Sequence, residues 1–516
     1  VRFNVGHSTK PDIRELRVWD DITECYKTES AESRERLKAS YNDAVKLYPE
    51  LPGKINELFR LADPKAILII LSTLRGIMPK EDLYRQLIDL IKGGRMDLYD
   101  TLGTEQQVKM DSFVDNYRIS YEDRISIDEC VGRRVEEEFD IHPKYIPVKE
   151  RVKNRIVLCT GQILQEQHAP SAITYDFYNA LTYELGMDTR LVVFEDDVYD
   201  KLPYYDLRFM NSFPSEISGY VYDEHLIPFT RSKLRVGSDS YKTCLKYIED
   251  LKPEFILDLS CNGFVAYTLQ KISTVASMHF GAGYPYSTSP ILLSYMESGS
   301  SVEHEYELKL KEEGRKLIPI IVRRDKPTIV PSIKREDYNL PEDSFLICIA
   351  GNRLDDEMDD KFLEIMHKAA EEFPQIYYCL VGDVKRKFDT GSLEGRIIYL
   401  GYRNDYYNTV AGMDLMLNPD RPGGGSVGTA SMLVGIPIVT KNNNDAAAVT
   451  DERFWVRTYG DYLTAVRHYL TDKDYYDSMC VIAHEFGDRI INNKEKVKKG
   501  MEYMANEIKT YIVDND

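Results

Sequence analysis

The chain has 516 residues, 43% of them apolar, and a formal charge of −19 from 85 acidic and 66 basic residues. At roughly 100–200 residues per domain the length suits about three domains. A chain this acidic is a poor candidate for non-specific nucleic-acid binding, which relies on basic surface, and its acidity argues against an anionic membrane surface as the main partner. No run approaches the roughly 18 apolar residues that would suggest a membrane span. The eight cysteines include no CxxC pair, so neither a zinc knuckle nor a thioredoxin-type site is expected. Cys159, Cys348 and Cys379 sit in apolar runs as small hydrophobes, and a reducing, cytoplasmic setting is the expectation. Residue 1 is Val, which is compatible with a natural start further upstream.

Residues from about 30 to 140 read as helical. Within Glu81–Lys92, Leu83, Leu87, Leu90 and Ile91 recur at three- and four-residue spacings and form one apolar stripe. Residues 1–150 are therefore expected to form a helical N-terminal domain with no visible chemistry. Near residue 150 the pattern changes. Arg155–Thr160, Arg190–Phe194 and Phe255–Leu259 are short apolar runs separated by helical stretches at Ala172–Leu185 and Tyr241–Leu251. Strand and helix in alternation imply right-handed βαβ units, and wholly apolar strands imply a parallel sheet covered on both faces.

The alternation restarts with Ser344–Ala350. A helix over Lys361–Glu372 follows, then strands at Ile376–Val381 and Arg396–Leu400 and a short helix over Asp405–Ala411. A strand at Leu415–Asn418, a helix over Thr429–Val434 and a strand at Ile436–Thr440 complete it. The fold class expected is α/β, with two doubly wound Rossmann-like domains over 151–335 and 336–516. The proline-bearing segment Ile318–Pro341 reads as their linker. Ligands of such sheets bind outside the carboxyl ends of the strands.

The most informative segment runs from Asn418 through Pro422, Gly423, Gly424, Gly425, Ser426, Val427, Gly428 and Thr429 to Thr440. A strand ends, three glycines let the backbone approach a bulky group, and a helix opens with unpaired N–H groups at the positive end of its dipole. That combination suits a diphosphate. A glycine-rich loop with no ligand is the blander reading.

On these residues the chain resembles the GT-B glycosyltransferases, and within them the O-GlcNAc transferase family and the bacterial cytoplasmic N-glycosyltransferases of adhesins. The likeness includes Ala411–Asp414, Val381-Gly382-Asp383 and Leu400–Asn404. It extends more weakly to His168–Ser171 and Phe280–Pro285, and covers roughly residues 155–470. It implies a GT-B fold with a helical N-terminal domain and a nucleotide-sugar donor, most commonly a UDP-sugar. It also implies transfer to a protein side chain or a glycan, with no obligatory cofactor. Two departures stand out. Ala430 occupies the position where the family places an acidic residue for the donor ribose, a task that Asp383 is the candidate to take over. Pro422 and Ala430 occupy the positions of two glutamates found in retaining enzymes, which favours inversion.

The resemblance gives Arg353, in Gly351–Leu354, a place on the donor diphosphate, for which a guanidinium's fixed charge and fork geometry are suited. The alternative is an ion pair with Asp355 or Asp356. His168, whose imidazole titrates near neutrality, is the candidate base for the acceptor, with Glu166 second. His279 is a second cleft candidate read as more structural, and Asp258, at a strand's end, is a candidate either to position substrate or to cap a helix. Tyr402 and Arg403 follow a strand and Gly401 where a base would stack, and Lys441 begins a polar loop expected to face the donor sugar. No HExxH or strand-end DxD is present, Asp196-Asp197 and Asp355-Asp356 read as solvated pairs, and no metal is expected. A GT-B-fold binding or chaperone subunit without catalysis is the competing reading, motivated by Ala430.

Overall fold

The computed structural model describes residues 13–58 except 29, parts of 66–74, 88–95, and 121–164 except 162. It further describes 169–195, 217–233, 239–294 except 261–262, 279 and 281–286, and 308–515 except 352, 383 and 422–424. Of the N-terminal apolar stripe, Leu83 and Leu87 lie outside these residues, while Ile91 is fully buried.

The first sheet contains β1 (Val152–Thr160), β2 (Asp188–Glu195), β3 (Gly219–Tyr222), β4 (His225–Lys233), β5 (Pro253–Leu259), β6 (Val275–Met278), β7 (Ile291–Ser294) and β8 (Lys316–Pro319). Their spatial order is β3-β4-β2-β1-β5-β6-β7-β8, parallel throughout except for the β3–β4 hairpin. The second sheet contains β9 (Phe345–Ala350), β10 (Ile376–Val381), β11 (Ile397–Gly401), β12 (Leu415–Leu417), β13 (Ile438–Lys441) and β14 (Trp455–Val456). It is ordered β11-β10-β9-β12-β13-β14, which is the 3-2-1-4-5-6 order of the Rossmann fold.

Alternate residues of β1 point to opposite faces, as strand geometry requires. Val157 and Cys159 join one core and Ile156 and Leu158 another. The first of these cores is continuous with Val18, Ile22, Leu37, Tyr41, Val131 and Val135 of the N-terminal helices. Those helices therefore cover one face of the first sheet and share its core. Contact is close: a Cβ on Gly132, in the helix Tyr121–Glu138, would stand 2.4 Å from the Tyr267 ring.

The opposite face of the first sheet is covered partly by the last helix, Lys494–Asn515, through Val497, Met501, Met504, Ala505, Ile508 and Ile512. The expected division grouped this helix with the second sheet. Its apolar stripe instead packs on the first. The chain thus crosses between the sheets twice, and Arg324 and Asn492 on the two crossings exchange N–H···O bonds of 2.8 and 2.9 Å. The expected linker also began too early, because Ile318 and Pro319 belong to β8, which pairs with β7. Among the described residues no helix is long and apolar enough to cross a membrane.

Candidate functional site

In a sheet of this order the chain reverses direction between β9 and β12, and the crevice at their carboxyl ends is where ligands bind. The glycine-rich segment leaves β12 at that point. Gly425 (φ +73°) turns the chain into the helix Ser426–Val434 and offers no side-chain cap. Thr429 N–H donates to Gly425 O at 2.9 Å. The N–H groups of Ser426, Val427 and Gly428 precede that bond and have no carbonyl within the helix to take them. Ser426 is exposed, whereas Val427, Gly428 and Thr429 are buried. Gly428 is required by packing, since a Cβ there would stand 3.0 Å from Ala446 O.

A buried polar network fixes the residues that lead out of β12. Asn418, fully enclosed, donates from Nδ2 to Asp445 Oδ1 (2.9 Å) and to Thr440 Oγ1 (3.2 Å), and its carbonyl accepts the Tyr462 hydroxyl at 2.7 Å. Asn444 accepts the Arg421 N–H at 2.9 Å and donates to Pro419 O at 2.7 Å. Arg421 extends from the exit of β12 to that of β9 and there meets Glu357, Nη1 to Oε2, at 2.8 Å. Burial works against the Arg421 charge, yet the Glu357 and Asp445 carboxylates hold its pKa above the ordinary arginine range. Neither Arg421 nor Glu357 was singled out from the sequence.

Arg353 lies at the exit of β9 and pairs with Glu357, Nη2 to Oε1, at 3.2 Å. Asp355, one of the expected alternative partners, accepts the N–H groups of Lys385 (3.1 Å) and Arg386 (2.9 Å), which ties the exit of β10 to that of β9. Glu357 therefore brings Arg353 and Arg421 together. Lys441, at the end of β13, pairs with Asp420, just beyond β12, and lies 5.4 Å from the Tyr459 ring centroid. Tyr402 is exposed at the exit of β11, after Gly401 (φ +68°). Arg403 is engaged with Asp405, donating from Nε (2.9 Å) and Nη2 (2.8 Å), and its hydrogen bonds draw the Asp405 pKa down to about 2. Ala430 is fully enclosed. Glu166, His168, Asp383, Gly423, Gly424 and His279, like Asp196 and Asp197, lie outside the described residues.

The first sheet has an equivalent reversal between β1 and β5. Their exits touch: a Cβ on Gly161 would stand 2.7 Å from Ser260 O. Asp258, at the end of β5, is almost fully buried and accepts the Ser260 N–H (3.0 Å) and the Ser277 hydroxyl (3.2 Å). Burial raises its pKa to about 6.

No family model matches the chain, and no curated protein matches it. Solved structures do. Anabaena Alr3699/HepE, in complex with UDP, is 14% identical, with a TM-score of 0.50 over 68% of this chain and 99% of that one. A mutant of Thermobaculum terrenum O-GlcNAc transferase is 11% identical, with a TM-score of 0.46 over 97% of this chain and 99% of that one. The pneumococcal O-GlcNAc transferase GtfA, in complex with UDP and GlcNAc, is 8% identical, with a TM-score of 0.45 over 69% and 99%. At 14% identity the likeness to Alr3699/HepE speaks to architecture alone. Taken with the two Rossmann-type sheets and the double crossing between them, the likeness to Alr3699/HepE assigns the chain the GT-B fold of glycosyltransferases.

Proposed function

We propose that the chain is a glycosyltransferase that moves a sugar from a UDP-sugar to an acceptor. One observation carries this reading: a helix N-terminus with no side-chain cap, entered through Gly425, follows β12 at the β9–β12 reversal, and Arg353 lies at the exit of β9. Backbone N–H groups and the helix dipole at such a place suit a diphosphate. The Anabaena protein of like fold was solved with UDP, which supports the choice of nucleotide.

In the proposed reaction a bond forms between the acceptor atom and the anomeric carbon, and the bond from that carbon to the UDP oxygen breaks. Negative charge grows on the leaving diphosphate, where the helix N-terminus and the Arg353 guanidinium stabilise it without a metal. The acceptor's proton passes to a base, for which His168 is the candidate and Glu166 the second. A single displacement of this kind inverts the anomeric centre, consistent with Pro422 and Ala430 standing where retaining enzymes carry glutamates. Tyr402 is assigned to the uracil face, with Arg403 behind it. Lys441 and Asp383 are assigned to the sugar and ribose. The acceptor proposed is a protein side chain, or otherwise a glycan, in a reducing cytoplasmic setting. The functional division proposed is a helical 1–150, an acceptor-side 151–335 on which the last helix also packs, and a donor-side remainder of 336–516.

The test is calorimetric titration with UDP, followed by assay of UDP release from a panel of UDP-sugars. Roughly micromolar affinity and sugar-dependent release are expected. No affinity for UDP would end the proposal, and binding without turnover on any donor and acceptor would favour the non-catalytic binding subunit.

A further inference from the structure

Two guanidiniums converge on one enclosed carboxylate at the exit of β9. Glu357, with a side chain only 1% exposed, takes Arg421 on Oε2 at 2.8 Å and Arg353 on Oε1 at 3.2 Å. Because Arg421 comes from the exit of β12, the carboxylate ties together the two loops that flank the reversal. The space around the tie is full: a Cβ on Gly351 would stand 2.3 Å from Arg421 Nη1 and 2.9 Å from Glu357 Oε2. Arg421 Nε and Nη2 are buried and have no hydrogen-bond acceptor among the described residues, with Asp445 at 3.6 Å from Nε. An arginine so placed cannot reach a ligand from solvent. Arg353, 35% exposed, can.

We propose that Glu357 is a positioning residue for the donor diphosphate. Its carboxylate holds the Arg353 guanidinium in one orientation, and Arg421 anchors that carboxylate to the exit of β12. This rests on the reading of the reversal as a donor site. Arg353 is ordered before the ligand arrives, so binding does not bear the cost of ordering it. Arg421 offsets the Glu357 charge, which leaves the positive charge of Arg353 available to the phosphates. The neutral side of the nucleotide does not depend on this arrangement.

That difference gives the test. The parent and its variants are titrated with UDP and, by competition, with uridine. Glu357→Gln is expected to weaken UDP about tenfold, the loss of one charge-assisted hydrogen bond, while uridine affinity stays at the parental value. Arg353→Ala shows a similar loss. Glu357→Gln combined with Arg353→Ala is no weaker than Arg353→Ala alone, because Glu357 acts through Arg353. Equal losses for UDP and uridine, or losses that add in the combined variant, would overturn the inference. If Glu357→Gln does not fold, Glu357→Met with Arg421→Met removes both buried charges and is measured in its place. The same selective loss of UDP supports the proposal, and parental UDP affinity overturns it. A parent with no affinity for UDP overturns the donor reading and this inference with it. A parent that binds UDP, with Glu357→Gln unchanged, overturns this inference alone.

Discussion

Gly382 crosses over Gly351 so closely that a Cβ on Gly382 would fall 1.9 Å from the Gly351 carbonyl oxygen. The crossing joins the exits of β10 and β9, and it continues sideways: Gly351 N–H donates to Val381 O and Gly382 N–H to Gly401 O, each at 2.9 Å. Three adjacent strand exits are thus bonded in a row, a floor of backbone next to β12, whose exit leads to the helix that opens at Ser426. The floor is backbone, so its shape is set by which residues lack a side chain.

Gly382→Ala should therefore be among the costlier glycine substitutions in the chain. The backbone at φ +141° is strained for any L side chain, and the new methyl would meet a carbonyl that the sheet holds in place. A loss of at least about 2 kcal/mol is expected, read from the denaturation midpoint, together with loss of UDP affinity. An unchanged midpoint would mean that the exits of β9 and β10 can separate freely.

Ser426→Asp separates ligand binding from stability. Gly425 is a poorer probe, because its φ is +73° and a Cβ there would stand 2.6 Å from Val449 Cγ2. Ser426 is exposed at the first position of the helix. A carboxylate there meets the positive end of the dipole and should add about 0.3–1 kcal/mol of stability. The same charge occupies the place proposed for the diphosphate, so UDP affinity should fall about tenfold or more while the melting temperature holds or rises. A variant that is more stable and binds UDP as the parent does would remove the helix N-terminus from the site.

The second sheet was largely legible in the sequence because each buried parallel strand is an unbroken apolar run closed by a glycine or polar residue. Ile376–Val381 is found as read, and Phe345–Ala350 differs by one residue. The first sheet was less so. Strands β6 and β7 are four residues long, and β6 (Val-Ala-Ser-Met) is too short and small to stand out as a strand. The β3–β4 hairpin turns at Asp223 and Glu224, both with positive φ (50° and 68°), so it lacks the Asn-Gly or Asp-Gly signal of such turns. The glycine-rich loop announced itself locally. The Arg421–Glu357 pair could not, since its partners are 64 residues apart and meet only because β12 lies next to β9.

The same dependence on long-range packing applies to the last helix. Ile508 is fully enclosed against the first sheet, although the preceding helices belong with the second. Ile508→Ala should cost about 2–5 kcal/mol, the range for deleting a well-packed aliphatic side chain. The expected signature is a lower denaturant midpoint with little change in UDP affinity at temperatures where the variant is folded. A loss below half a kcal/mol would show that the helix is only loosely docked.

Asp258 predicts a pH dependence whose sign differs from that of a paired carboxylate. Its carboxyl is enclosed with hydroxyl and N–H donors, and burial raises its pKa from 3.8 to about 6. Between those values the folded chain retains a proton that the unfolded chain has released. Stability therefore falls as pH rises through that window, and the loss is complete above about pH 6. Asparagine keeps the shape and can still accept the Ser260 N–H, but it carries no charge at any pH. Asp258→Asn should match the parent near pH 4 and exceed it at pH 7.5 by up to about 3 kcal/mol. Chemical denaturation of both chains at the two pH values measures the difference. A gap of the same size at both would mean that the carboxyl does not titrate in this window, and that its two donors stabilise the charged form as well as water does.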